Sequence, residues 1–423
     1  MNLSVSFQTQ ADATSKRFSN EDLSAHFDKF KKVIESEKIG FFQLSEKTEH
    51  LDSARAMFEK HKDKTHFVQV GIGGSALGPH TLIDALKSNN KVKFSFMDNT
   101  DAEYISQLLS EIEEPKKSLF YVVSKSGGTA ETIANFSIAI NFLRDNGIKK
   151  DQLKDHFVFC TDPKNGQLKE YAQANGYSCL QVPNDIGGRF SVFSHVGLLP
   201  ALFAGVQIEE LYEGANEFKS ALLNPDLSEN ILMQTGAQLM CLFEDRGVNQ
   251  TVLMPYSSRL KTLSHWFVQL WGESLGKIDS SGTNVGLTPI PAYGATDQHS
   301  QMQLFMEGPS DKAIFLLEVK NKAVDFKLDS GLEMDSARKL ENFSLNQLIE
   351  AQFNGTLKAL QDQKKNVIKM SIERNDAKHM GSMILFFESL TALMGEYLGI
   401  DAFNQPGVEL GKKYAYEYLK NLE

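Results

Sequence analysis

Cysteine is scarce in this chain. Three occur in 423 residues, Cys160, Cys179 and Cys241. The odd count and the lack of CxxC spacing point to a reducing compartment without a disulfide framework or zinc site. Long apolar runs are missing too. No stretch reaches the roughly 18 apolar residues that a membrane helix needs. Met1 to Ser24 is polar, without an apolar core of signal-peptide length. The expected location is therefore cytoplasmic. Positive charge is in deficit: 44 Lys and Arg stand against 54 Asp and Glu, a formal net charge of −10. That disfavours a general nucleic-acid binder, which must displace counterions from phosphates with a positive surface. It leaves room for small anions, because a ring of backbone N–H groups with a few cations can hold a phosphate on an acidic protein. No His/Cys cluster has metal-ligand spacing, so neither metal nor cofactor is expected. Short-period repeats and low-complexity tracts are also absent.

What is present is an alternating texture. Hydrophobic residues make up 41%, enough for sizeable cores, and the length suits two or three domains of about 150 residues. Residues 1–60 read as a helical segment, with helices around Leu23–Ile34 and Ala54–Lys60. From 61 the pattern changes to short apolar runs alternating with amphipathic stretches. Strands are predicted at His66–Val70, Lys93–Met97, Leu119–Val123, Phe157–Cys160 and Cys179–Val182, with helices at Pro79–Lys87 and Glu131–Arg144. The pattern then restarts, its first helix stopping near a boundary at Asn224-Pro225. Helices are predicted at Leu211–Leu222, Ile231–Glu244, Leu260–Leu275 and Ser382–Leu398, and strands at Thr251–Met254, Ile314–Leu317 and Val367–Ser371. Strands alternating with helices imply parallel sheets covered on both faces. The expected fold is α/β, two doubly wound domains over 61–215 and 216–423. Segment 318–347 is charged and poorly periodic, and no structure is predicted for it.

Six segments carry candidate chemistry. Gly71-Ile72-Gly73-Gly74-Ser75 follows a strand and opens a helix, so its backbone can approach a ligand closely. Ser124-Lys125-Ser126-Gly127-Gly128-Thr129 repeats that arrangement with three hydroxyls and an ammonium. Both loops fall at carboxyl ends of predicted parallel strands, where open α/β sheets bind ligands, and hydroxyl-rich loops suit a phosphate monoester. Gly187-Gly188-Arg189 places a fixed cation beside two flexible residues. Gln269 and Glu273, four apart, share one face of an apolar helix. A carboxylate in such surroundings suits a general base. Gly294 to His299 offers a histidine in a polar loop, and Gln405-Pro406-Gly407 starts a helix that carries Lys412. A competing reading stays open: Gly71, Gly73 and Ala76 fit a dinucleotide-binding fingerprint, with Asp98 ending the next strand.

Taken together and in this order, these segments resemble the glucose-6-phosphate isomerase family across some 340 residues. The carriers are GIGGSALGP (71–79), SKSGGTAET (124–132), GGRFSVFS (187–194), ESLGK (273–277), GATDQH (294–299) and QPGVELGK (405–412). The chain departs from many members at Gly127, Gly128 and Pro406. The resemblance implies two flavodoxin-like sugar isomerase (SIS) domains with extra helices. It implies reversible isomerisation of glucose 6-phosphate and fructose 6-phosphate through a cis-enediol, in glycolysis and gluconeogenesis. It implies that Ser75, Ser124, Ser126 and Thr129, with the backbone of Gly74 and Lys125, hold the phosphate. Glu273 would be the base and Arg189 the partner of the enediolate. His299 and Lys412 would assist ring opening, and Gln269 and Gln405 would line the sugar site. It further implies a homodimer in which the His299 loop comes from the second subunit. A non-catalytic sugar-phosphate sensor on the same domain is the rival from another class, and Glu273, His299 and Lys412 argue against it.

Overall fold

The computed structural model describes residues 3–7, 20–36, 38–88, 91–164 and 166–422. Twelve strands form among them: β1 (Leu3–Phe7), β2 (His66–Val70), β3 (Lys93–Met97), β4 (Ser118–Val123), β5 (Phe157–Thr161), β6 (Ser178–Gln181), β7 (Gln250–Pro255), β8 (Lys277–Ile278), β9 (Asn284–Val285), β10 (Thr288–Pro291), β11 (Lys312–Asn321) and β12 (Asn366–Arg374). The first sheet is parallel throughout, in the order β3-β2-β4-β5-β6. The second has the order β1-β12-β11-β7-β10 and is parallel except for β1. The predicted α/β architecture with two parallel sheets is thus what the chain adopts.

Side-chain alternation explains why each sheet is covered on both faces. In the first sheet Phe67, Leu119, Tyr121, Val123 and Val158 pack on one side, with Val196, Leu199 and Phe203 of helix His195–Phe203. Val68, Val70, Phe120, Val122 and Phe157 point to the other, against Phe136 and Leu143 of helix Ala130–Asp145. Strands buried on both faces have no polar side to show, which is why β4 reads as a continuous apolar run. The second sheet divides likewise. Val252, Met254, Ile314 and Leu316 meet Phe353 and Leu360 of helix Leu345–Asp362, while Leu253, Phe315, Ile368 and Met370 face the largest core. That core also takes Leu82 and Phe190 from the first half and Trp266, Trp271 and Phe387 from the second, so the two halves are joined through one apolar interior.

Three features depart from the sequence reading. Segment 1–60 contains the helices Asn20–Ile34 and Thr48–His61, but also β1, which pairs antiparallel with β12 of the second sheet; the polar amino end lies partly outside the described residues. Thr288–Pro291 is a strand absent from those predicted, and its two prolines cannot donate to a ladder. It is tolerated here because β10 is an edge strand that pairs only with β7. In segment 318–347, β11 continues to Asn321, and beyond it come the short helix Asp335–Arg338 and an isolated bridge between Lys327 and Ser344. Among the described residues no helix is long and apolar enough to cross a membrane.

Candidate active site

The loops after β2 and β4 leave adjacent parallel strands. With the order β3-β2-β4, successive crossovers diverge on either side of β2, which makes this the switch point where α/β sheets open a crevice. In the β4 loop the Ser124 Oγ lies 2.9 Å from Thr129 Oγ1, and Ser126 Oγ lies 3.4 Å from it. Gly127 N–H donates to Ser124 Oγ and Gly128 N–H to Ser126 Oγ. Gly127 has φ +69°, a turn that a side chain would strain. Thr129 is the N-cap of the sixteen-residue helix Ala130–Asp145, and its side chain caps no backbone group. Three convergent hydroxyls therefore sit at the positive end of a helix dipole, an arrangement suited to an anion.

Lys125 turns away from those hydroxyls. Its Nζ donates to Asn184 O at 3.0 Å and Ile186 O at 2.7 Å. Burial lowers its pKa, against the pull of Asp162 and Asp185. The ammonium thus braces the approach to Gly187-Gly188-Arg189, leaving the backbone of Lys125 in the hydroxyl loop.

The β2 loop joins these parts. A methyl placed on Gly74 would fall 2.3 Å from the Gly188 carbonyl, and one on Gly73 would fall 2.8 Å from Gln269 Nε2. Glycine is required at both positions, and Gly73 also has φ +60°. Ser75 is half-buried in this turn, and its carbonyl accepts from Gln69 Nε2. Protein atoms lie where a side chain on Gly73 or Gly74 would point, so close packing of the loops accounts for glycine at these two positions.

Arg189 is the best-held side chain of the group. It is 3% exposed. Nε donates to Ser274 Oγ at 2.6 Å, Nη1 to Gln405 Oε1 at 3.1 Å, and Nη2 to Ala402 O at 2.6 Å and Asn404 O at 3.0 Å. Burial lowers its pKa, and the charges of Glu273 and Asp401 act against that. Nη1 also lies 3.7 Å from Glu273 Oε2, which accepts from Gln269 Nε2 at 3.1 Å. Gln269 and Glu273 do share one face of helix Lys261–Leu275. The structure therefore brings Gly74, Arg189, Gln269, Glu273 and Gln405 into one contact network, with the Ser124–Thr129 loop on the neighbouring strand.

Two predicted site residues stand apart. Lys412 is exposed on helix Glu409–Lys420 and pairs with Glu409 at 2.7 Å. His299 is exposed in the short turn Thr296–His299. Pro289, at the start of β10, lies beside Gly272, whereas Tyr293 meets Lys261 Nζ at 5.0 Å. Helix Lys261–Leu275 therefore has Glu273 near its carboxyl end, while the chain leading into the His299 turn passes its amino end; Lys261 and Glu273 are about 18 Å apart along the axis at 1.5 Å per residue.

The sequence reading missed Ser274, the carbonyls of Ala402 and Asn404, and Lys277. Ser274 and Lys277 lie inside the ESLGK run. The position of Lys277 just past the helix end was the available signal, since a lysine there can bond the last free carbonyls.

Two parallel sheets with a hydroxyl-lined loop at the first switch point and a carboxylate–guanidinium pair beside it define an α/β protein of the sugar isomerase (SIS) class. The chain matches the phosphoglucose isomerase family over residues 28–423, and it belongs to that family. It is 38% identical to a glucose-6-phosphate isomerase of Carboxydothermus hydrogenoformans, across 96% of this chain and 91% of that protein. It is also 38% identical to a glucose-6-phosphate isomerase of Thermus thermophilus, with 88% of each covered. Among solved structures, a hypothetical protein of Thermus thermophilus superposes with TM-score 0.89 at 35% identity, covering 98% of this chain and all of that one. A glucose-6-phosphate isomerase of Chlamydia trachomatis shares the fold, with TM-score 0.81 at 22% identity, covering 100% of this chain and 89% of that one.

Proposed function

We propose that the protein interconverts glucose 6-phosphate and fructose 6-phosphate by moving one proton between C1 and C2 through a cis-enediol. The observation that carries this is the Glu273–Arg189 pair: a partly exposed carboxylate 3.7 Å from a guanidinium that four further hydrogen bonds hold in place. The carbonyl of an open-chain sugar acidifies the neighbouring C–H. Glu273 takes the proton from one carbon and returns it to the next. Negative charge then develops on the sugar oxygen, and Arg189, already ordered, stabilises it without reorganising. Gln269 orients the base, and Gln405 lines the sugar. The hydroxyls of Ser124, Ser126 and Thr129, with Ser75 and the backbone of Gly74 and Lys125, hold the phosphate and so fix which carbons face Glu273. The reaction needs no redox group, and we place it in glycolysis and gluconeogenesis.

Ring opening needs separate proton donors and acceptors, which we assign to His299 and Lys412. The turn that bears His299 follows Tyr293, which meets Lys261, at the opposite end of helix Lys261–Leu275 from Glu273. This supports a homodimer in which the partner supplies the His299 loop. Helix Glu409–Lys420 supports it too: none of its residues is buried, and it exposes Leu410, Tyr414, Tyr418 and Leu419, apolar area that a second copy would cover.

The test is a coupled assay with fructose 6-phosphate on EDTA-treated protein without added nucleotide, following glucose 6-phosphate with a dehydrogenase. Robust product is expected. A folded protein that binds fructose 6-phosphate without turning it over would instead be a sensor.

A further inference from the structure

Helix Lys261–Leu275 ends where its last turn carries both the base and the anchor of Arg189. A helix end leaves carbonyls without partners, and here one side chain takes two of them. Lys277 Nζ donates to Glu273 O at 2.7 Å and to Ser274 O at 2.8 Å. Ser274 in turn receives Arg189 Nε on its hydroxyl. The chain beyond folds back tightly. Lys277 pairs with Val285 in the β8–β9 hairpin, and Gly286, at φ +149°, lies so close that a methyl there would sit 3.1 Å from Gly276 Cα. Asp279 ties the hairpin turn by accepting from Ser281 N and Thr283 N. Lys277 is therefore held from below by a packed hairpin and bonded above to the turn that bears the reacting groups.

We propose that Lys277 is a positioning residue of the isomerase site: its ammonium fixes the Glu273–Ser274 turn, and with it the geometry of base and guanidinium. The proposal rests on the isomerase reading and adds to it a residue that touches no substrate atom.

A consequence follows from its surroundings. The charged groups that face Lys277 are Arg189 from the Gly188–Phe190 turn, Asp401 from the loop after helix Ala377–Leu398, and Glu273 from its own helix. Burial first, then Arg189, pushes its pKa down to about 8, against the two carboxylates. Below that value the ammonium holds the turn. Above it the neutral amine bonds the same carbonyls more weakly, and a positive charge beside the developing enediolate is lost. Turnover should therefore fall as pH rises through about 8, while fructose 6-phosphate capture, which we assign to the hydroxyl loop, changes little.

The experiment is the pH profile of kcat and KM, from 6.5 to 9.5, for the wild type, Lys277→Arg and Lys277→Gln, with melting temperatures to confirm folding. The wild type is expected to lose kcat on an alkaline limb near pH 8 with KM steady. Lys277→Arg, whose guanidinium stays charged throughout, should lose that limb whatever its maximum. Lys277→Gln, a donor without charge, should run flat with pH at about a tenth of the wild-type kcat, with KM changed less than about threefold. An active wild type whose alkaline limb persists unchanged in both variants would overturn the proposal alone. Wild-type inactivity at every pH would overturn the isomerase reading and the proposal with it. A Lys277→Arg protein that folds but keeps the limb would suffice against it even if Lys277→Gln failed to fold.

Discussion

At the scale of single residues the site separates binding from chemistry. The Glu273 carboxylate meets Gln269 and Arg189. Glu273→Gln keeps the hydrogen-bonding shape but cannot accept a proton from carbon. It should lower kcat by about 100- to 10,000-fold, the usual worth of a general base, while fructose 6-phosphate binding stays near the wild-type value. Calorimetric titration beside the coupled assay separates the two, and parallel losses of binding and turnover would remove Glu273 from the base role. Ser126→Ala is the complementary case. Its hydroxyl faces Thr129 in the exposed part of the loop, so its removal should raise KM about tenfold, as for one hydrogen bond to a charged group, with kcat nearly retained. An unchanged KM would mean that no phosphate contact is made there. Much of this network was legible in the sequence, because Gln269 and Glu273 are four apart and helical periodicity puts them on one face. The partners of Arg189 were not legible. Ser274 is 85 residues away and Gln405 is 216 away, and nothing local in Gly187-Gly188-Arg189 separates a buried clamp from a solvated surface charge. Lys125 shows the converse: beside three hydroxyls its ammonium looked like part of the anion loop, whereas the fold gives it two carbonyls of another loop.

Among the elements, helix Ala377–Leu398 runs through the largest core, and it carries a cost. Glu388 is wholly buried on it, and neither carboxyl oxygen has a hydrogen-bond partner among the described residues. Burial raises its pKa well above the ordinary 4.5, so the folded chain holds it neutral. The unfolded chain ionises it freely. The stability linked to this proton is thus complete below about pH 4.5 and is lost progressively as pH rises above it. Glu388→Met, similar in volume and without charge, should stabilise the protein at pH 8 by about 1–3 kcal/mol. That corresponds to a melting temperature higher by a few degrees, with a smaller gain at pH 5. Thermal melts at the two values decide it, and an equal gain at both would show that Glu388 is not held neutral. The apolar run from Ser382 announced this helix, since only a helix crossing a core is apolar on every side. Edge elements were harder to read. The prolines of β10 and the short alternating β1 look like loop or helix until tertiary pairing supplies the ladder. The central strands, buried on both faces, betray themselves by unbroken apolar sequence.

For the molecule as a whole, the question is whether one chain makes one site. Glu273 lies near the carboxyl end of helix Lys261–Leu275, and β10 runs beside that helix from Gly272 toward its amino end, where the loop that leads to His299 begins. The helix spans about 18 Å between Lys261 and Glu273 at 1.5 Å per residue, which argues against both groups serving one site from one chain. Either His299 has no part in the reaction, or the histidine that serves a given Glu273 belongs to another copy. The exposed helix Glu409–Lys420, with Tyr414 and Tyr418 on its surface, favours the second answer, because a closed two-fold interface would bury it and bring the same patch of each chain together. A mixing experiment distinguishes the two. Glu273→Gln and His299→Ala are each expected to be nearly inactive alone. Unfolded together in equal amounts and refolded, half of the dimers are mixed. In each mixed dimer one site lacks both groups, while the other pairs an intact Glu273 with an intact His299. Activity should return to about a quarter of the wild-type level. If both groups came from one chain, every mixed dimer would contain one site without its base and one without its histidine, and mixing would restore nothing. If His299→Ala alone kept full activity, His299 would be an ordinary surface residue, and ring opening would fall to other groups.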